Sequence, residues 1–297
     1  MNSPSPYLTD PETLPIPWTE SPFYSALSLF KDLTYEEQEL VEQFHRDGYV
    51  ILDLSLSNEE VDRIQRDVEL QLAEGAKTQE ADYHYSDSPR VFEAWRKSLD
   101  IARLSCHPKV LQTLRLLYGR EPVPFQTINF LKGTNQPAHS DTLHFHTLPE
   151  RWVAACWVAL EHLDEGCGPL SFYPGSHRLP VYDFPALGIP VPEYGQQFEA
   201  YAQYEQFIRD LIKTKGLTER RFYAGQGQAI IWAANLLHGG SPVTNPNATR
   251  WSQVTHYYFE GCREYYCPMF SDLTAGKISR KDLAGKDIRK AATGGLF

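Results

Sequence analysis

Apolar residues recur along the first part of the chain with the spacing of helices. Leu40, Val41 and Phe44 follow Thr34-x-x-Glu37, and Val61, Ile64 and Val68 follow Ser57-x-x-Glu60. Both openings are capping boxes, in which a hydroxyl and a carboxylate each satisfy a main-chain N–H at the helix start. Gly48 and Gly75 supply the stops. Between these helices Tyr49–Leu54 is β-rich and too short for a helix, so it predicts a strand. A third helix is predicted from Pro108, with Leu111, Leu114 and Leu117 on one face and Gly119 at its end.

After Pro124 the period changes. Strands are predicted over Phe125–Leu131, Val153–Leu160, Leu170–Tyr173, Gln228–Ala234 and Trp251–Phe259, punctuated by Gly, Pro and Asn. One helix interrupts them: Gln196–Lys215 places Phe198, Tyr201, Tyr204, Phe207 and Leu211 at helical spacing before Gly216. Helices followed by a run of strands predict a mainly β domain, a sandwich or barrel with flanking α-helices packed outside. Residues 1–33 read as a proline-rich arm, with six prolines in the first 22 positions. Residues 34–297 read as one domain carrying an insertion at about 178–223.

Composition narrows the function classes. Twenty-eight basic against 38 acidic side chains leave a net charge of −10, which disfavours a nucleic-acid groove. The longest apolar run, Trp152–Leu160, is far short of the ~20 residues a membrane helix needs, so no span is expected. No Lys or Arg precedes Lys31 and no apolar run stands there, so a signal peptide is not expected. Five cysteines without a CxxC pair fit reduced thiols in a cytoplasmic protein rather than a zinc site.

Ten histidines raise a metal hypothesis, and spacing tests it. On a strand, residues i and i+2 share a face, so His-x-Asp aims an imidazole and a carboxylate at one point. About 0.6 such pairs are expected by chance at average Asp usage, and the chain has three. His45-Arg-Asp47 falls at a helix end, where i and i+2 diverge, and His162-Leu-Asp164 falls in a turn. His139-Ser-Asp141 opens an extended stretch and is the best placed. A distant His would complete a facial triad with open positions, the arrangement that suits iron(II) and oxygen. His238 is offered at the end of the buried run Ala229–Leu237. Arg250-Trp-Ser252 heads the next strand, and a buried arginine there needs an anion, either a bound carboxylate or an internal Asp or Glu.

Taken in order, these motifs resemble one family. His139-x-Asp141, Ala155–Glu161, Gly166-Cys-Gly-Pro-Leu-Ser-Phe-Tyr-Pro-Gly-Ser-His177, His238-Gly and Arg250, with the start at Phe44–Val50, look like the phytanoyl-CoA dioxygenase family over roughly residues 35–260. The resemblance implies a double-stranded β-helix (jelly roll, cupin-like) that uses Fe(II), 2-oxoglutarate and O2. It implies that His139, Asp141 and His238 hold the iron and that Arg250, assisted by Ser252, pairs with the distal carboxylate of 2-oxoglutarate. Trp157 matches a cofactor-contacting tryptophan, Gln126 and Ile128 fall near positions lining the same pocket, and His177 reads as structural. Halogenases of this type replace the carboxylate with Gly or Ala, so Asp141 favours hydroxylation, with desaturation or epoxidation as related outcomes. A catalytically inactive jelly-roll binding protein, or a cupin-like metalloenzyme without 2-oxoglutarate, stays open as an alternative.

The substrate is less legible. His144, Phe145 and His146, beside the metal pair, are expected to line the pocket mouth, and His256 shares the inward face with Arg250 and Ser252 if the strand is regular. The insertion carries Tyr182, Tyr194, Tyr201, Tyr204 and Tyr223, which either recognise substrate or pack its helix on the barrel. No Lys/Arg cluster flanks the motifs to meet a polyanionic CoA, which points to a small metabolite or a biosynthetic intermediate as substrate, hydroxylated at an unactivated C–H with release of succinate and CO2.

Overall fold

The computed structural model describes residues 14–75 and 89–294. The proline-rich arm up to residue 13 lies outside them. Its continuation is packed on the domain: Trp18 is fully buried and its indole N–H donates to Leu116 O at 2.8 Å, while Thr19 Oγ1 donates to Leu117 O.

α1 (Ser28–Lys31) is a single turn. α2 (Tyr35–Asp47) and α3 (Asn58–Ala73) open on the two expected capping boxes and flank β1 (Tyr49–Asp53); Gly48, at φ 79°, caps α2 in the left-handed region. Then come β2 (Arg90–Phe92), α4 (Leu99–Ser105) and α5 (Pro108–Tyr118), the last with Pro108 in its first turn and Gly119 as its cap. The β-rich part comprises β3 (Pro122–Phe130), β4 (His146–Leu148), β5 (Val153–Ala159), β6 (Leu170–Phe172), β7 (Arg220–Phe222), β8 (Gln228–Ala233), β9 (His238–Gly240), β10 (Ser252–Phe259) and β11 (Glu264–Tyr266). α6 (Phe198–Lys215) interrupts it as expected, and α7 (Ile288–Ala292) closes the described chain. Apart from β6, expected over Leu170–Tyr173, the three-residue strands and the short helices α1, α4 and α7 carry too few residues to show a period, which is why the sequence pattern did not announce them.

The antiparallel strands form a six-stranded sheet in the order β1-β8-β5-β10-β3-β2, a three-stranded sheet β7-β6-β9 and a pair β11-β4. The two faces of the large sheet have different partners. Cys156, Val158, Ile231 and Ala233 point outward into a core shared with Val41, Phe44, Val61, Ile64 and Val68 of α2 and α3. Ala155, Trp157, Ile230 and Trp232 point inward and meet Leu170, Phe172 and Phe222 of the smaller sheet. Burial on both faces explains why β5 is an unbroken apolar run rather than an alternating one. This is the jelly-roll architecture with flanking helices. Among the described residues no helix is long and apolar enough to cross a membrane.

Two local expectations are corrected. The run from Ala229 is not one strand ending at His238: β8 stops at Ala233, the chain turns, and His238 opens β9 in the other sheet. His139-Ser-Asp141 is not on a strand either, for His139 makes a single antiparallel bridge with His238 and Asp141 starts a 3-10 turn. Gly239 permits this approach, since a Cβ there would lie 2.6 Å from Gln136 O.

A candidate iron centre and the cavity around it

The bridge between His139 and His238 places the two imidazoles side by side, with ring centroids 4.5 Å apart, and the turn after Ser140 swings Asp141 beneath them. Asp141 Oδ1 lies 3.8 Å from His139 Nε2 and 3.6 Å from His238 Nε2. All three residues are buried, and one ligand atom from each lies within 4.8 Å of the others.

Each ligand atom is aimed by a hydrogen bond on its far side. His139 Nδ1–H donates to Pro137 O at 3.0 Å, and His238 Nδ1–H donates to Leu236 O at 2.9 Å. A carbonyl can only accept, so Nε2 of each ring is left facing Asp141. Trp232 Nε1–H donates to Asp141 Oδ2 at 2.9 Å, which leaves Oδ1 for the space between the histidines. The loop itself is clamped. Ser140 N–H donates to Tyr204 Oη, and Ser140 Oγ donates to Ala234 O at the end of β8.

Electrostatics agree with this geometry. Burial, reinforced by the neighbouring His238, lowers His139 to about 4, so its ring is neutral near pH 7. Burial pushes Asp141 upward, but His238 and His256 more than offset it and hold the carboxyl below the ordinary range. Two imidazole nitrogens and one carboxylate oxygen, buried and converging, fit a divalent first-row metal with open positions.

The triad opens on a cavity of about 270 Å³, which is also lined by Gln126, Ile128, Trp157, Arg250 and His256. Arg250 is 2% exposed, so it must find its counter-charge inside. It does not find one in the described protein. Its Nη1 donates to Gly168 O at 3.0 Å, its Nε is buried without a hydrogen-bond partner, and the internal acid that could have claimed it is absent among the described residues. Burial lowers its pKa to about 10, with Cys167 opposing and Arg90 adding to the shift. An incomplete buried guanidinium facing a cavity fits a carboxylate that arrives with a ligand.

Not every expected site residue reaches the wall. Ser252 is buried, but its hydroxyl donates to Arg250 O at 3.2 Å and does not line the cavity. His144 and Phe145 line the cavity, whereas His146 does not, because strand alternation in β4 turns it toward Tyr266, 5.7 Å away between ring centroids. His256 does line it, 3.8 Å from Asp141 Oδ2. His177 stands off the cavity, its Nε2 3.2 Å from His45 O. The rejected pairs are accounted for: Asp47 pairs with Arg46, and Asp164 accepts from Gly166 N and Cys167 N. From the insertion only Tyr194 reaches the wall, while α6 packs its Tyr201 and Tyr204 face against the domain.

Sequence reading missed Trp232, Gln136, Arg90 and the late residues Cys267, Met269, Phe270 and Lys281, all on the cavity wall. Trp232 could have been found, since it shares the inward alternation of β8 with Ile230 and stands opposite Ala155 of β5. The late residues could not, because no period or spacing joins them to the motifs.

A sequence profile of the family described as Phytanoyl-CoA dioxygenase (PhyH) matches residues 44–251. The chain belongs to the phytanoyl-CoA dioxygenase family. It is thus a non-haem iron(II)- and 2-oxoglutarate-dependent dioxygenase with O2 as co-substrate. The ectoine dioxygenase of Nocardia farcinica is 28% identical over 223 residues, covering 70% of this dioxygenase and 73% of the relative. That of Bordetella parapertussis is 26% identical over 260 residues, covering 81% and 77%. Among solved structures, the epimerase SnoN in complex with Fe3+, alpha ketoglutarate and nogalamycin RO is similar with a TM-score of 0.61 at 19% identity, over 83% of this chain and 96% of that one. EctD from S. alaskensis with 2-oxoglutarate and 5-hydroxyectoine gives a TM-score of 0.58 at 22% identity, over 76% of each chain. These structural likenesses support the jelly-roll fold.

Proposed function

We propose that this dioxygenase hydroxylates a C–H bond of a small molecule, with His139, Asp141 and His238 holding the iron and Arg250 holding the distal carboxylate of 2-oxoglutarate. The observation that carries this reading is a single cavity with a buried His-Asp-His cluster and, on the same wall, a buried arginine that has no acidic partner among the described residues. Bound iron(II) with 2-oxoglutarate and O2 supplies the oxidising power for C–H chemistry, with release of succinate and CO2.

The protein's own part is orientation. The two Nδ1–H bonds to main-chain carbonyls fix which nitrogen of each imidazole faces inward. Trp232 fixes the carboxylate of Asp141 so that Oδ1 turns toward the histidines. Arg250, with the Phe130 and Trp157 ring centroids 5.6 and 6.0 Å away, offers its unbonded Nε edge to a carboxylate, with Ile128 along the same wall. His144 and Phe145 stand on the substrate's side of the cluster.

The test is anaerobic titration of the purified protein with iron(II) and 2-oxoglutarate, watching for the weak visible charge-transfer band of the chelated co-substrate. Iron binding without that band overturns the reading. Two relatives are named ectoine dioxygenase, so ectoine is the first substrate to offer, with succinate release coupled to a hydroxylated product as the expected result.

A further inference from the structure

The cavity wall carries two arginines, Arg90 and Arg250, beside Phe130 and a lysine, Lys281, beside Phe145, and the lysine has been given no role. Arg250 and His256 are six residues apart along the strand segment that forms the wall, roughly 20 Å in extended chain. His256 Nε2 is 3.8 Å from Asp141 Oδ2, so the triad lies toward the His256 end. Beyond it the Phe145 ring packs 4.8 Å from the His256 ring, and Lys281 Nζ lies 5.4 Å from the Phe145 ring. A co-substrate chelated at the triad and paired with Arg250 points away from Lys281 and leaves that ammonium unclaimed. Lys281 has no ion-pair partner among the described residues, although its neighbours Lys277 and Arg280 pair with Glu193 and Glu264.

We propose that Lys281 is a substrate-binding residue and that the substrate is a small carboxylic acid, its carboxylate on Lys281 Nζ and its carbons against Phe145, Met269 and Phe270. This rests on the reading above that iron and 2-oxoglutarate occupy the triad and Arg250. One ammonium matches a single negative charge, and the cavity's arginines, Arg90 and Arg250, whose planar forks add charge and bidentate reach for a larger anion, both lie at the other end beside Phe130. Two further polar atoms serve the same end. His256 Nδ1 and Gln126 Oε1 are buried without hydrogen-bond partners, and the two residues face each other across β10 and β3. They supply hydrogen bonds beside the carbon to be oxidised. The family profile ends at residue 251, so Met269, Phe270 and Lys281 lie in the part of the chain outside the match.

The experiment titrates the anaerobic protein, saturated with iron(II) and 2-oxoglutarate, with hexanoate against hexanamide and benzoate against benzamide. Calorimetry reads binding while the visible band reports the co-substrate site. Each acid is expected to bind at least about 10-fold more tightly than its amide. Lys281→Met is expected to cancel that preference, Lys281→Arg to keep it, and both to leave the band in place. Equal binding of acid and amide, no binding of either acid, or a preference that survives Lys281→Met overturns the proposal. A wild-type protein without the band overturns the cofactor reading instead, and the acid–amide comparison on that protein still tests Lys281.

Discussion

The His139–Asp141–His238 cluster and the Arg250 corner share one cavity, yet they are finished to different degrees. At the cluster every group has its partner: two imidazole N–H groups on carbonyls, one carboxylate oxygen on the Trp232 indole, and the second oxygen between the two rings. At the other end a guanidinium is 2% exposed and holds one carbonyl, with its Nε left over. A buried charged group with a hydrogen-bonding position left empty is costly, whereas one whose positions are taken up is less so. The cluster can therefore stand pre-formed before a metal arrives, while the arginine corner is complete only when an anion is present.

Removing Asp141 breaks the finished end outright. Asp141→Ala leaves two imidazoles without the carboxylate that draws a cation, and iron affinity is expected to fall by more than about 100-fold, with the visible band abolished. Equilibrium dialysis of iron measures the loss. Breaking the unfinished end should separate the two regions. Arg250→Met is expected to weaken 2-oxoglutarate by about 100-fold, the scale of a lost bidentate charged pair, while iron binding stays near wild type. A parallel loss of iron would show that the two ends are one unit. Thermal melts give a second reading, because 2-oxoglutarate should raise the melting temperature of the iron-loaded wild type and leave that of Arg250→Met unchanged.

A subtler change sharpens the account of the cluster. Trp232→Phe keeps the packing of the inner face but frees Asp141 Oδ2, and iron affinity is expected to drop about 10- to 100-fold, the usual cost of losing a ligand's supporting hydrogen bond. If affinity holds, the pre-formed geometry owes nothing to Trp232. The smallest effect at neutral pH belongs to a histidine outside both regions. His146 is buried with neither ring nitrogen hydrogen-bonded, and burial, with Arg151 adding to it, lowers its pKa to about 4. The unfolded chain, with its ordinary histidine pKa, takes up a proton between pH 6.5 and about 4 that the folded protein refuses. Stability therefore falls with pH through that window, by about 2 kcal/mol between pH 7 and 5 from this group alone. His146→Phe should remove that slope in denaturant unfolding and be close to neutral at pH 7, and an unchanged slope would contradict it.

Much of this was legible because local chemistry fixes local structure. Thr34 and Ser57 with their partner glutamates, Pro108, and the stops at Gly48, Gly119 and Gly216 act within one turn of chain, and α2, α3, α5 and α6 start and stop where they direct. The apolar runs became β5 and β8 for a related reason, since only burial on both faces accommodates them. His139, Asp141, His238 and Arg250 stood out by motif and order, and the structure gathers all four around one cavity.

What sequence alone determined is therefore the set of chemical groups and the elements that hold them. Tertiary structure decided which groups meet. A period of two suggested His139 and Asp141 on one strand face, but their convergence comes from a bridge to β9 and a 3-10 turn, neither of which has a period. Pairing between strands placed Trp232 behind Asp141. The return of the chain after β11 carried Met269, Phe270 and Lys281 to the cavity, while alternation in β4 took His146 away from it. Contacts of this kind are set by how sheets and loops pack across long stretches of chain, and packing leaves no mark on the spacing of the residues it brings together.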